Sequence, residues 1–171
     1  MTQIQNLNPD LQSRVSAIRA LTLDVDGVLT DGRITYDSNG MVIQSFHVHD
    51  GYGVKAVQAA GIGVAIISGR NSLAVELRAR ELDIVDVYQG IEDKLAVLNE
   101  YCARQGLSLD QVAHIGDDVP DIPVFKAVGL AVAVADAVKT AKAAADLVTD
   151  RRGGRGAVRE FCDLLLEGRK L

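Results

Sequence analysis

The sequence predicts an α/β fold, a parallel β-sheet covered by helices on both faces. Two observations carry that expectation. Short apolar runs alternate with segments of helical periodicity, the pattern of strands buried on both sides. Polar clusters, most of them containing glycine, recur just after the apolar runs, where an open parallel sheet presents the carboxyl ends of its strands. The chain has 171 residues, a length that suits one domain spanning 1–171.

The first helix opens at Asn8-Pro9, a capping residue followed by proline at the first helical position, with Leu11, Val15 and Ile18 on one face. The strand Leu21–Val25 follows. The alternation then breaks over 32–49, where two β-rich runs flank Ser38-Asn39-Gly40, a strong hairpin signal. This hairpin must cover its apolar residues, Ile34, Val42, Ile43 and Phe46. A lone two-stranded ribbon is marginal in water, so pairing with other copies of the chain is expected.

Regular alternation resumes with a helix over Tyr52–Ala60, the strand Gly63–Ile67 and a helix over Ser72–Leu82. The strand Ile84–Tyr88 and the helix Glu92–Arg104 come next, then the strand Val112–Ile115 and the helix Ile122–Ala127. The strand Leu130–Val134, the helix Val138–Ala145 and a sixth strand over Asp146–Thr149 complete the sheet. A closing helix, Ala157–Glu167, carries an apolar stripe of Val158, Phe161, Leu164 and Leu165. The whole is a Rossmann-like sheet with a projecting hairpin.

Hydrophobic residues make up 48% and charged residues 24% of the chain, which predicts a sizeable core rather than disorder. With 18 basic and 23 acidic residues the net charge is -5, against a general nucleic-acid-binding face. No apolar stretch has the length of a signal peptide or membrane span, so a cytoplasmic location without membrane contact is expected. Cys102 and Cys162 lack metal-ligand spacing and fall in apolar helical patterns, which predicts reduced thiols.

The most informative stretch is Leu23-Asp24-Val25-Asp26-Gly27, an apolar strand running into two carboxylates two residues apart. Strand geometry would point both to one side, where they repel and require a proton or a cation. A calcium loop starting at Asp24 is excluded, because its sixth and twelfth positions hold Leu29 and Thr35 instead of glycine and glutamate. Ser68-Gly69-Arg70 ends the second strand with a hydroxyl, a turn glycine and a guanidinium. Gly116-Asp117-Asp118, followed by Asp121, forms a second acidic cluster after the fourth strand, and Lys94 opens a helix after the third.

Each cluster alone has an ordinary explanation as a turn, a helix cap or a solvated lysine. Together they would line one edge of one sheet with carboxylates for a divalent cation, a hydroxyl donor and a cation for phosphate. Phosphoryl transfer, which relies on positioning and charge neutralisation, needs that set. His114, inside an apolar strand, is expected to be a core histidine.

On Asp24-x-Asp26, Ser68, Lys94 and Gly116-Asp117-Asp118-x-x-Asp121, in that order, the chain resembles the haloacid dehalogenase superfamily of aspartyl phosphatases from about Leu21 to Leu166. Further stretches narrow the resemblance to a capless branch acting on 3-deoxy-D-manno-octulosonate 8-phosphate. They are Asp50-Gly51-Tyr52-Gly53, Ser68-Gly69-Arg70, Val132-Ala133-Val134-Ala135-Asp136-Ala137 and Gly153-Gly154-Arg155-Gly156-Ala157-Val158-Arg159-Glu160.

The resemblance implies Asp24 as nucleophile and Asp26 as general acid, then base. It implies Mg²⁺ held by Asp24, Asp117 and the main-chain carbonyl of Asp26. Ser68 and Lys94 would bind the phosphoryl group. The substrate set would be Asp26, His47, Val48, His49, Asp50, Gly51, Lys55, Arg70, Arg78 and Lys94. A homotetramer with hairpins at its centre is implied too, each site closed by a neighbour, with Gly153–Gly156 as a mobile closing segment and a place in lipopolysaccharide precursor synthesis.

His49 and Lys55 stand where the branch is expected to carry arginine, which leaves the substrate less defined than the reaction. His47 and His49 would share a strand face but make only a weak metal pair. The rival readings are a phosphatase for a nine-carbon, sialic-acid-like 9-phosphate, a signalling receiver domain and a non-catalytic scaffold. The receiver order of motifs differs, and a scaffold would have no use for so many mutually repelling charges.

Overall fold

A computed structural model describes residues 4–170. Six parallel strands, β1 (Ala20–Leu23), β4 (Gly63–Ile67), β5 (Asp86–Tyr88), β6 (Val112–Gly116), β7 (Leu130–Ala133) and β8 (Leu147–Val148), form one sheet in the order β5-β4-β1-β6-β7-β8. The central strands β1, β6 and β7 are buried at every position, as strands covered on both faces must be. The chain leaves β1 toward β4 and leaves β6 toward β7. The crevice between β1 and β6 is therefore the topological switch point, where ligands bind in such sheets.

Helices α1 (Pro9–Ala17), α2 (Val48–Ala59) and α7 (Ala157–Gly168) pack together, and so do α4 (Lys94–Gln105), α5 (Ile122–Phe125) and α6 (Lys139–Ala144). The remaining helix, α3 (Leu73–Glu81), connects β4 to β5. Asn8 caps α1 by accepting from the Leu11 N–H at 2.9 Å, ahead of Pro9. The α7 stripe is buried as its periodicity predicts, at Val158, Phe161, Leu164 and Leu165. Cys102 and Cys162 are free and buried, and burial raises the pKa of both thiols.

The hairpin differs from expectation. Its strands shrink to two residues each, β2 (Thr35–Tyr36) and β3 (Val42–Ile43), around a turn in which the Asp37 carboxylate accepts from the Asn39 and Met41 N–H groups. Phe46 packs on the core, but Ile34, Tyr36, Met41 and Ile43 are 50%, 62%, 57% and 52% exposed. Helix α2 begins at Val48 instead of Tyr52, so His47 and His49 flank a helix start and do not share a strand face. Their rings sit edge to face with centroids 5.0 Å apart.

The glycine-rich segment before α7 is tied down and does not hang free as a closing flap. The Gly153 N–H donates to Asp136 at 3.0 Å and the Gly154 N–H to the Val28 carbonyl at 2.9 Å. A Cβ at Gly153 would lie 1.7 Å from the Gly27 carbonyl oxygen, so only glycine lets this segment brace the loop that follows Asp24 and Asp26.

Candidate active site

The strand ends bring Asp24, Asp26, Ser68, Arg70, Lys94 and Asp117 to the wall of one cavity of about 580 Å³. They arrive from four segments: Asp24 and Asp26 after β1, Ser68 and Arg70 after β4, Lys94 at the start of α4, and Asp117 after β6. Gly27, at φ 88°, makes the close approach of two of these loops feasible, since a Cβ there would sit 2.1 Å from an Asp117 carboxylate oxygen.

Lys94, only 5% exposed, sits between two carboxylates. Its Nζ lies 2.9 Å from Asp24 Oδ1 and 2.6 Å from Asp121 Oδ1. Burial alone would lower its pKa, but the two negative charges win and raise it above the ordinary value. Asp121 is the hub of the network. Its Oδ1 also meets His114 Nε2 at 3.1 Å, and its Oδ2 accepts from the N–H groups of Asp117 and Asp118 at 3.0 and 3.3 Å. Burial opposes ionisation of Asp121, yet the hydrogen bond from His114 and the neighbouring Lys94 ammonium hold it well below the usual carboxylate range.

Carboxylate oxygens of Asp24, Asp117 and Asp121 lie within 4.8 Å of one another, a grouping that would hold a divalent cation. Asp121 is already committed on both oxygens, which leaves Asp24 and Asp117 as the carboxylates to offer. Burial, then the charges of Asp24, Asp121 and Asp118, push Asp117 up to about 8, and burial raises Asp24 as well. Such a cluster calls for a cation, and the oxygen donors suit Mg²⁺.

The shift carries a sign for stability. Folded Asp117 keeps a proton that the unfolded carboxylate, at 3.8, has already lost. Its stabilising contribution is therefore full below 3.8 and is lost as pH rises toward about 8. In a chelator the melting temperature should fall by several °C across this range, and excess Mg²⁺ should flatten the slope. Thermal melts from about pH 5 to 8, with EDTA or Mg²⁺, check this.

Asp26 occupies a different setting, half-buried at the outer side of the cavity. Its Oδ1 accepts from Gln44 Nε2 at 2.8 Å, and Arg70 Nε lies 4.0 Å from its Oδ2. Ser72 Oγ in turn donates to Gln44 Oε1. Sequence reasoning missed Gln44, since nothing in the hairpin pattern marks it. It named Asp121 only as part of a motif and took His114 as packing. Ser68 is buried and Arg70 faces the cavity, as expected.

The rest of the expected substrate set lies outside the lining of this cavity within one chain. Val48 and His49 are exposed near the start of α2, and His47 caps that helix with its backbone. Lys55 pairs with Asp83. Arg78 pairs with Glu81 at 3.1 Å, reaches the His47 carbonyl at 3.5 Å and packs over the Phe46 ring and against Gly51.

Asp50 is 1% exposed and accepts from the Gly156 N–H at 3.3 Å and the Arg159 N–H at 2.8 Å, where it anchors α7. Asp50→Ala should cost about 1–3 kcal/mol by leaving these donors unpaired, read as a lower denaturation midpoint in urea.

The fold and this carboxylate–lysine site define a haloacid dehalogenase-like hydrolase, and residues 80–161 match that family. The 3-deoxy-D-manno-octulosonate 8-phosphate phosphatase KdsC of Salmonella typhimurium is 46% identical over 160 residues, covering 94% of this chain and 85% of that protein. The crystal structure of the Yersinia pestis phosphatase of the same name superposes with a TM-score of 0.94 at 45% identity, over 96% of this chain and 89% of that one. That of the Moraxella catarrhalis enzyme, in complex with magnesium ion, phosphate ion and KDO, gives 0.92 at 38% identity, over 94% and 92%. The chain belongs to the 3-deoxy-D-manno-octulosonate 8-phosphate phosphatase family.

Proposed function

We propose that this chain is a Mg²⁺-dependent phosphatase that hydrolyses 3-deoxy-D-manno-octulosonate 8-phosphate to the free sugar acid and phosphate. The observation that carries the reading is the pairing of Asp24 with buried Lys94 in the cavity that also holds Asp26, Ser68, Arg70 and Asp117. Its relatives' shared name supplies the substrate.

In this reading the two motif aspartates divide the labour, and their different partners, Lys94 for Asp24 and Gln44 for Asp26, support it. Asp24, against Lys94 at the cavity floor, attacks phosphorus, and the bond from phosphorus to the sugar oxygen breaks as the aspartyl-phosphate forms. Asp26, held by Gln44 toward the outer side, gives its proton to the departing oxygen. It then takes a proton from water, which attacks phosphorus and frees Asp24. Ser68 and Lys94 bind the phosphoryl oxygens, with Lys94 charged throughout. Asp24, Asp117 and the Asp26 carbonyl would hold Mg²⁺, which neutralises charge on the phosphoryl group when bound.

Arg70 supplies positive charge at the cavity mouth. His47, Val48, His49, Asp50, Gly51, Lys55 and Arg78 contribute by closing a neighbouring subunit's site or by shaping the loops around it. We read the chain as one domain that assembles as a homotetramer in the cytoplasm and serves lipopolysaccharide precursor synthesis. The exposed apolar residues Ile34, Tyr36, Met41 and Ile43 support assembly, because a two-stranded ribbon cannot bury them alone. Among the described residues, no helix is long and apolar enough to cross a membrane.

Comparison of kcat/KM for the eight-carbon 8-phosphate and a nine-carbon, sialic-acid-like 9-phosphate tests the substrate. The eight-carbon ester should be preferred. Faster turnover of the nine-carbon ester would keep the chemistry and replace the substrate.

A further inference from the structure

Behind the catalytic lysine lies a buried polar chain that the phosphatase mechanism does not require in itself. His114 and Thr22 face each other on adjacent strands, in register across β6 and β1, and both are 0% exposed. His114 Nδ1 lies 2.8 Å from Thr22 Oγ1, which is also 3.2 Å from the Ala113 carbonyl. The opposite ring nitrogen, Nε2, lies 3.1 Å from Asp121 Oδ1, the same oxygen that receives Lys94. Phe125 packs against the ring with centroids 5.7 Å apart.

The roles of the two ring nitrogens follow from their partners. A carboxylate can only accept, so Nε2 must donate to Asp121. Thr22, able both to donate and to accept, completes the ring at Nδ1 and fixes its rotation. Asp121 is thus pinned on both sides, by His114 at Oδ1 and by two backbone N–H groups at Oδ2. A carboxylate that cannot rotate gives Lys94 one place to stand, 2.9 Å from Asp24.

We propose that Thr22 and His114 form a positioning pair that sets Lys94 against the nucleophile by locking the Asp121 carboxylate. His114 touches no reacting atom in this scheme. It acts through Asp121, and Thr22 acts through His114. A histidine placed for packing alone would be satisfied by any ring of similar shape, whereas this role needs the Nε2 donor.

The proposal rests on the phosphatase reading for its kinetic test, made on the Mg²⁺-saturated enzyme. His114→Phe keeps the ring and deletes the donor. It should lower kcat about tenfold, in the range seen when groups orienting an active-site ligand are removed, with KM changed less than about twofold. His114→Gln, which returns an N–H donor, should recover most of the loss. A kcat for His114→Phe within about twofold of wild type, or equal losses in the Phe and Gln variants, would overturn the proposal.

Should His114→Phe fail to fold, Thr22→Val carries the same test. It should lower kcat and Thr22→Ser should restore it, and a wild-type kcat for Thr22→Val sinks the idea. A thermal double-mutant cycle between Thr22→Val and Lys94→Met needs no turnover. Non-additive losses are expected and additive ones contradict the proposal, even if wild type hydrolyses neither sugar-acid phosphate.

Discussion

Asp24→Asn is expected to abolish phosphate release, lowering kcat by at least about a thousandfold while the protein stays folded. The amide has nearly the shape of the carboxylate but cannot serve as the attacking oxygen anion. Stability should hold because Lys94 keeps its closer partner, Asp121 at 2.6 Å. The substitution also removes one of the three carboxylates that crowd within 4.8 Å, so repulsion in the metal-free protein falls. Circular dichroism and a melt in EDTA, run beside the kinetic assay, should show a native spectrum and a melting temperature at or above wild type. A variant that keeps even a tenth of the activity would remove Asp24 from the nucleophile's role.

Lys94→Met is the substitution expected to do the most structural damage at the site. Lys94 is 5% exposed and bridges two buried carboxylates. Removing one member of such a group leaves uncompensated charge inside the protein, at a cost of about 3–5 kcal/mol. For a chain of this size that corresponds to a fall of about 10 °C in melting temperature. Turnover should also be lost, since no other cation among the described residues pairs with both Asp24 and Asp121. Part of the stability should return in the Lys94→Met/Asp24→Asn double variant, where one of the stranded charges is gone. A double variant no more stable than Lys94→Met alone would mean that the stranded Asp24 charge costs little.

The fold was legible where burial is two-sided. Strands β1, β4, β6 and β7 read as plain apolar runs because both of their faces meet helices, and the cap at Asn8-Pro9 marks α1. The same logic exposed Asp24, Asp26, Ser68, Lys94 and Asp117, since a charged cluster straight after a buried strand has few places to go. The start of α2 was not legible. Phe46-His47-Val48-His49 alternates like a strand, and His47 caps the helix with no side-chain hydrogen bond.

Contacts between distant segments were hidden for a related reason. The resemblance implies a substrate role for Asp50, and nothing in the sequence signals that its carboxylate anchors the start of α7, more than a hundred residues away. Gly153 reads as a flexible joint but is required by the close approach of the Gly27 carbonyl. Gln44 reaches Asp26 from the hairpin, a pairing without any spacing signature. His114 fits a core pattern correctly, and only the structure shows what its nitrogens hold.

The most direct measurement is phosphate release from 3-deoxy-D-manno-octulosonate 8-phosphate by the wild-type protein, with excess Mg²⁺ and again in EDTA. Release that is rapid with Mg²⁺ and absent in EDTA is the predicted result. Failure to release phosphate with Mg²⁺ or any other divalent cation, in protein shown to be folded, would contradict the account at its centre.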